Sequence, residues 1–145
     1  MAKQKQLERD LQFIGAQKND CIVIGNYGNA SITAVGNFDL GGLIFCPKSK
    51  VEFNLAGNGI IRFTGTCKEL VLQNIDGDCA IDLSNLTCKM VRCEMIKGNS
   101  KITFGEIRSI YINSVDARTE IIYGKHPLLI NHILNGYLPT LKSVA

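Results

Sequence analysis

Gly57-Asn58-Gly59-Ile60-Ile61-Arg62-Phe63, Gly77-Asp78-Cys79-Ala80-Ile81-Asp82-Leu83, Gly98-Asn99-Ser100-Lys101-Ile102-Thr103-Phe104 and Ala117-Arg118-Thr119-Glu120-Ile121-Ile122-Tyr123 are four copies of one phrase. Their first residues stand 20, 21 and 19 positions apart (77−57, 98−77, 117−98). Each copy alternates apolar and polar residues, as at Ile61/Phe63 and Ile102/Phe104. Period-2 alternation buries one face of a strand and wets the other. A second apolar block follows in three copies: Cys67, Leu70, Leu72, Ile75; then Cys88, Val91, Cys93, Ile96; then Ile107, Ile110, Ile112, Val115. Two short strands in about 20 residues cannot bury their own apolar face, but stacked copies can. The pattern therefore predicts interior ladders Ile61–Ile81–Ile102–Ile121, Phe63–Leu83–Phe104–Tyr123, Leu70–Val91–Ile110 and Leu72–Cys93–Ile112.

Working outward, the earlier chain fits the same scheme. Leu43/Phe45 with Val51/Phe53 read as a further coil, turned by Cys46-Pro47-Lys48-Ser49, and Ile22/Ile24 with Ile32/Ala34 as the first. The ends read differently. Leu7, Leu11 and Ile14 fall on one helical stripe, and Pro127 suits the start of a helix carrying Leu128, Leu129, Ile130, Ile133 and Leu134. The expectation is a single all-β domain over 1–145, a right-handed parallel β-solenoid of about five coils with helical end segments. Its parts are a helical cap over 1–16, coils over 20–124 and a helical segment over 127–138. Helices there would cover open sheet edges, which otherwise invite association. The C-terminal segment carries more apolar surface than a cap needs, so Leu128, Leu129, Ile130, Ile133 and Leu134 are candidates for self-association.

Composition sets bounds. Of 145 residues, 46% are hydrophobic and 20% charged, which suits one soluble domain. No apolar run approaches the roughly 20 residues of a membrane span. The start Met1-Ala2-Lys3-Gln4-Lys5-Gln6 lacks a signal-like apolar stretch, so a cytoplasmic location is expected, with export as the alternative if a leader has been removed. A net charge of +3 gives no argument for nucleic acid.

Six cysteines, at 21, 46, 67, 79, 88 and 93, read as small apolar fillers, because Cys67, Cys88 and Cys93 share ladders with Ile107 or Leu72 and Ile112. A Cys67–Cys88 disulfide is within geometric reach, but a cytoplasmic chain is expected to keep both reduced. There is no Cys-x-x-Cys, and the two histidines, His126 and His132, lie outside the repeats, so no metal or other cofactor is expected. Nucleophile-elbow, P-loop, zincin and dinucleotide-loop motifs are also missing, so no catalytic residue is assigned and a non-enzymatic role is expected. Asp76, Asp78 and Asp82 gather at one bend, and Asp76 repeats as Asp116, which reads as turn capping. Lys68, Lys89 and Arg108 each follow the Cys/Cys/Ile slot, predicting a basic ladder on an outer face, a candidate anion- or partner-binding strip. Glu69 and Glu106 are placed to offset its charge, and Val71, Arg92 and Tyr111 form a second outward column.

The repeated phrases Gly57-Asn58-Gly59-Ile60-Ile61 and Gly98-Asn99-Ser100-Lys101-Ile102, closing on Glu120-Ile121-Ile122-Tyr123-Gly124-Lys125-His126-Pro127, resemble the head GIN domain of auto-transporter adhesins. Bactofilins are similar in architecture and a weaker match. The resemblance covers about 40–127 and implies a non-enzymatic surface or scaffold protein with no catalytic residues to carry over. The leading expectation is a scaffold module that presents stacked β faces to protein partners, itself included, as a homo-oligomer or polymer. The alternative is a module that holds an anionic polymer, a glycan or lipid headgroup, along the basic ladder.

Overall fold

Gly36, Gly57, Gly77 and Gly98 form one column up the molecule. All four have positive φ, at 105°, 123°, 135° and 112°. A side chain on Gly57, Gly77 or Gly98 would run into the carbonyl of the preceding glycine in the column. Glycine is thus required twice over, by the left-handed backbone and by the close approach of the next layer. Three turns of chain separate Gly36 from Gly98.

The computed structural model describes residues 5–7, 10–14, 17–24, 29–116, 118–123, 129–132 and 140–143, with side chains at Ile14 and over 29–116 and 118–123. The described residues contain no helix. They form β1 (Lys5–Leu7), β2 (Asp10–Ile14), β3 (Gln17–Ile24), β4 (Ala30–Asp76), β5 (Cys79–Lys97), β6 (Lys101–Phe104), β7 (Ile107–Val115), β8 (Glu120–Tyr123), β9 (Leu129–His132) and β10 (Thr140–Ser143). All pairing between them is parallel, so the chain stacks as a β-solenoid. β4 is long because it winds over itself: Gly57 abuts Gly36, and Gly65 abuts the Ile44 carbonyl, within the one run.

The registers follow the repeat. Ile61 pairs with Ile81, Ile81 with Ile102, and Ile102 with Ile121. On the facing block Leu70, Val91 and Ile110 are in register, as are Leu72, Cys93 and Ile112. Every one of these ladder residues is buried. Each fully buried aliphatic side chain contributes about 1.5–3 kcal/mol, and the Phe53 and Phe63 rings meet edge-on at 5.7 Å. The Phe63–Leu83–Phe104–Tyr123 ladder is looser. Leu83 pairs with Phe104, but a bulge lies between Arg62 and Thr64, and Tyr123 is only half-buried.

The corner beside the glycine column has its own hydrogen bonds. Cys79 Sγ donates to Gly57 O (3.5 Å), Ser100 Oγ to Gly77 O (3.0 Å) and Thr119 Oγ1 to Gly98 O (3.1 Å). On the outer side Asn58 Oδ1 accepts from Asp78 N (3.2 Å), and Asp78 Oδ1 from Asn99 N (3.1 Å). Each side chain thus satisfies backbone groups one layer away, which a turn would otherwise leave unpaired.

Three expectations are corrected. The described parts of the N-terminal cap over 1–16 and of the C-terminal segment over 127–138 are strands. Lys5–Leu7 pairs with Ile22–Ile24, Asp10–Ile14 with Ser31–Val35, and Leu129–His132 with Ser109–Ile112. A short isolated helix is marginal, whereas an open sheet end offers a ready row of backbone partners. Ile14 is 68% exposed and pairs with Val35. The count of about five coils rests on the repeats over 20–124, of which the glycine column from Gly36 to Gly98 marks three turns. Second, Leu43 and Phe45 face outward, and Ile44 and Cys46 are buried instead. A one-residue change of phase swaps both faces of a strand. Third, Val71 is in register with Arg92 and Tyr111 but is itself buried. The Arg92 guanidinium lies over the Tyr111 ring at 5.0 Å.

Two substitutions test this architecture. Gly77→Ala is expected to cost about 2 kcal/mol or more, read as a lower thermal midpoint; an unchanged midpoint would contradict the column. Ile102→Asp places a lone carboxylate in a dry ladder, and loss of the β-sheet circular dichroism spectrum is expected. A native-like spectrum for that variant would refute the stacking.

Candidate functional site

Cys67 pairs with Cys88 and Cys88 with Ile107, with no break in register immediately after. The next residues, Lys68, Lys89 and Arg108, therefore occupy consecutive layers, and all three side chains are exposed. The predicted basic column exists as geometry. Of its two expected counter-charges, Glu106 lines the same cleft as Lys89 and Arg108, and Glu69 forms its ion pair with Arg92, at 3.3 Å. Like charges in consecutive layers oppose one another, so an anion placed against the column would relieve that repulsion.

Beside the column lies a half-open cleft of about 620 Å³. Pro47 and the hydroxyl-bearing Thr66 and Thr87 line it, with Lys89, Glu106 and Arg108 supplying charge. Cys67, Cys88 and Ile107 also line it. Thr66 and Thr87 are in register with one another. A reading of apolar ladders alone passes over these threonines and the cleft, because they sit at outward positions. The thiols themselves were legible as ladder partners, and Cys46, Cys67 and Cys88 recur every 21 residues.

Cys46, Cys67, Cys79, Cys88 and Cys93 are buried thiols outside any disulfide. They are not equivalent. Cys93 is wholly enclosed, and burial pushes its thiol up to about 12. Cys67 and Cys88 touch through their sulfurs at 3.4 Å. The hydrogen bond with Cys88, followed by burial, holds the Cys67 thiol far above its ordinary range. Burial also raises Cys46, and Cys67 adds to that shift.

The acidic bend acts as turn chemistry. Asp116 accepts from Gly98 N (3.3 Å) and Arg118 N (2.9 Å), and Arg118 Nη2 donates to it at 2.8 Å. The hydrogen bonds from Arg118 lower the Asp116 carboxyl well below its usual range. Asp82 accepts from the Ser84 hydroxyl (2.7 Å) and amide (3.0 Å), which lowers it too. Among the described residues, no group of three or more His, Cys, Asp or Glu is placed to hold a metal ion, and no helix is long and apolar enough to cross a membrane. Of the expected self-association residues, Leu129 and Ile130 lie in β9; Leu128, Ile133 and Leu134 lie outside the described residues.

The chain matches no family model, no curated protein and no solved structure.

The enclosure of Cys93 has a pH consequence. A thiol whose folded pKa is raised supports the fold fully below its unfolded pKa, about 8.5, and loses that contribution as pH climbs toward about 12. Cys93→Val is expected to flatten the alkaline loss of stability, followed by urea melts from pH 7 upward. An alkaline profile identical to that of the parent would contradict it.

Proposed function

We propose that this chain is a non-enzymatic scaffold module that assembles with copies of itself through its ends and presents stacked β faces to protein partners. The carrying observation is the state of the terminal strands. Among the described residues, β1 and β2 at one end, and β9 and β10 at the other, each pair with a single neighbour. A strand paired on one side exposes unused N–H and C=O groups on the other. All strands run parallel, so the end of one copy has the direction needed to continue onto the start of the next. Such a head-to-tail contact is heterologous and grows open assemblies rather than closed dimers. The regular faces of the stack and a cytoplasmic setting complete this reading.

A second reading has its own observation. Lys68, Lys89 and Arg108 on consecutive layers beside Thr66 and Thr87 favour an anionic glycan or lipid headgroup laid along the stack axis. Charge attraction would make such binding sensitive to salt.

Light scattering over a concentration series separates the two readings. The intact chain is expected to grow in mass with concentration, and a chain ending at Lys125, without β9 and β10, to stay small while keeping its sheet spectrum. A strictly monomeric intact chain at high micromolar concentration would overturn the assembly reading. For the second reading, Lys68→Gln with Lys89→Gln should weaken retention on an anionic polysaccharide resin and flatten its salt dependence. Equal retention of parent and double variant would leave the column as a solvated face.

A further inference from the structure

We propose that Cys67 and Cys88 are a dithiol–disulfide couple that opens onto the cleft and, when oxidised, staples two successive layers of the stack. The two residues are register partners in adjacent parallel strands, and their sulfurs lie 3.4 Å apart. Neighbouring strands run about 4.8 Å apart, inside the Cα window of roughly 4.4–6.8 Å that a disulfide accepts. Closing the sulfurs to the bonded distance, about 2.05 Å, needs side-chain rotation and a small local adjustment. Both thiols line the cleft, unlike the wholly enclosed Cys93. At the cleft, Lys89 and Arg108 provide two positive charges against the single carboxylate of Glu106, and Thr66 and Thr87 provide hydroxyl donors. That lining suits a small anionic organic disulfide as the oxidant.

The exchange is balanced. The sulfur of Cys88, the slightly more exposed residue of the pair at 5% against 2%, gives up its proton to water and attacks one sulfur of the small disulfide. The S–S bond of the reagent breaks, one half leaves as a thiolate, and a mixed disulfide forms on Cys88. The Cys67 sulfur then loses its proton and attacks the Cys88 sulfur, expelling the second half as a thiolate. The protein has lost two electrons and two protons, and the reagent has become two thiols. Cys46, one 21-residue interval before Cys67, is not part of the couple because it does not line the cleft.

The test uses the full chain and glutathione disulfide as the probe, with intact mass and non-reducing peptide mapping as the readout. The expected product has lost two hydrogens, carries a Cys67–Cys88 link, leaves Cys93 unmodified and reverts with dithiothreitol. Cys67→Val, a swap a ladder ending in Ile107 accommodates, is expected to stop at a stable glutathione adduct on Cys88. Lys89→Gln with Arg108→Gln should slow the reaction with glutathione disulfide several-fold and leave the rate with uncharged diamide unchanged. The proposal is overturned if the folded chain forms no Cys67–Cys88 link. It is equally overturned if Cys46–Cys67 is the product, or if Cys88 stays unmodified in folded Cys67→Val. Equal slowing with both reagents would overturn the role of the cleft cations.

Discussion

Each layer of this protein hydrogen-bonds edge-on to the next at the spacing of adjacent strands, about 4.8 Å, and everything else accommodates that distance. Corners feel the constraint most. Where the chain turns with positive φ, the preceding layer's carbonyl occupies the place a Cβ would take, and the column Gly36, Gly57, Gly77, Gly98 answers this. The hydroxyls of Ser100 and Thr119 and the thiol of Cys79 then reach back one layer to those glycine carbonyls. The bend is held by contacts between layers as well as by contacts within one, as where Asp116 accepts from Arg118.

The same spacing makes the side-chain columns consequential. Inside, it brings like apolar groups into contact, which is favourable at every step. Outside, it brings like charges into consecutive layers, as at Lys68, Lys89 and Arg108, which is unfavourable without an anion. At the boundary between the two it sets Cys67 against Cys88, with sulfurs 3.4 Å apart at the wall of a cleft. A thiol that fills a ladder and a thiol that can exchange with a disulfide differ here only in access. Cys93 has none, and Cys67 and Cys88 share a wall with charged and hydroxyl side chains.

Among the described residues, the stacking runs through to strands at both ends. Strands at both ends extend the pairing where helices were expected, because a row of free backbone groups is a stronger local template than a short amphipathic stripe such as Leu7, Leu11 and Ile14. The scaffold proposal grows from that incompleteness. The module would do for a second copy what each layer does for the next.

The interior ladders could be read from the sequence because the repeat of 20, 21 and 19 residues and the two-residue alternation jointly determine which side chains meet. Ile81 and Ile102, or Leu72 and Cys93, needed no structure to be paired. The basic column was legible for the same reason, being one residue past a ladder position. Other features depend on what lies alongside in space. The phase of Leu43 and Phe45 is inherited from the neighbouring layers, and local alternation misplaced it by one residue. The partner of Glu69 is Arg92, one layer away, a pairing that linear spacing does not indicate. The cleft, and the difference between Cys93 and the Cys67–Cys88 pair, belong to the tertiary structure alone. Periodicity determines which residues stack, whereas the width of the gap beside a column depends on side chains from several layers at once.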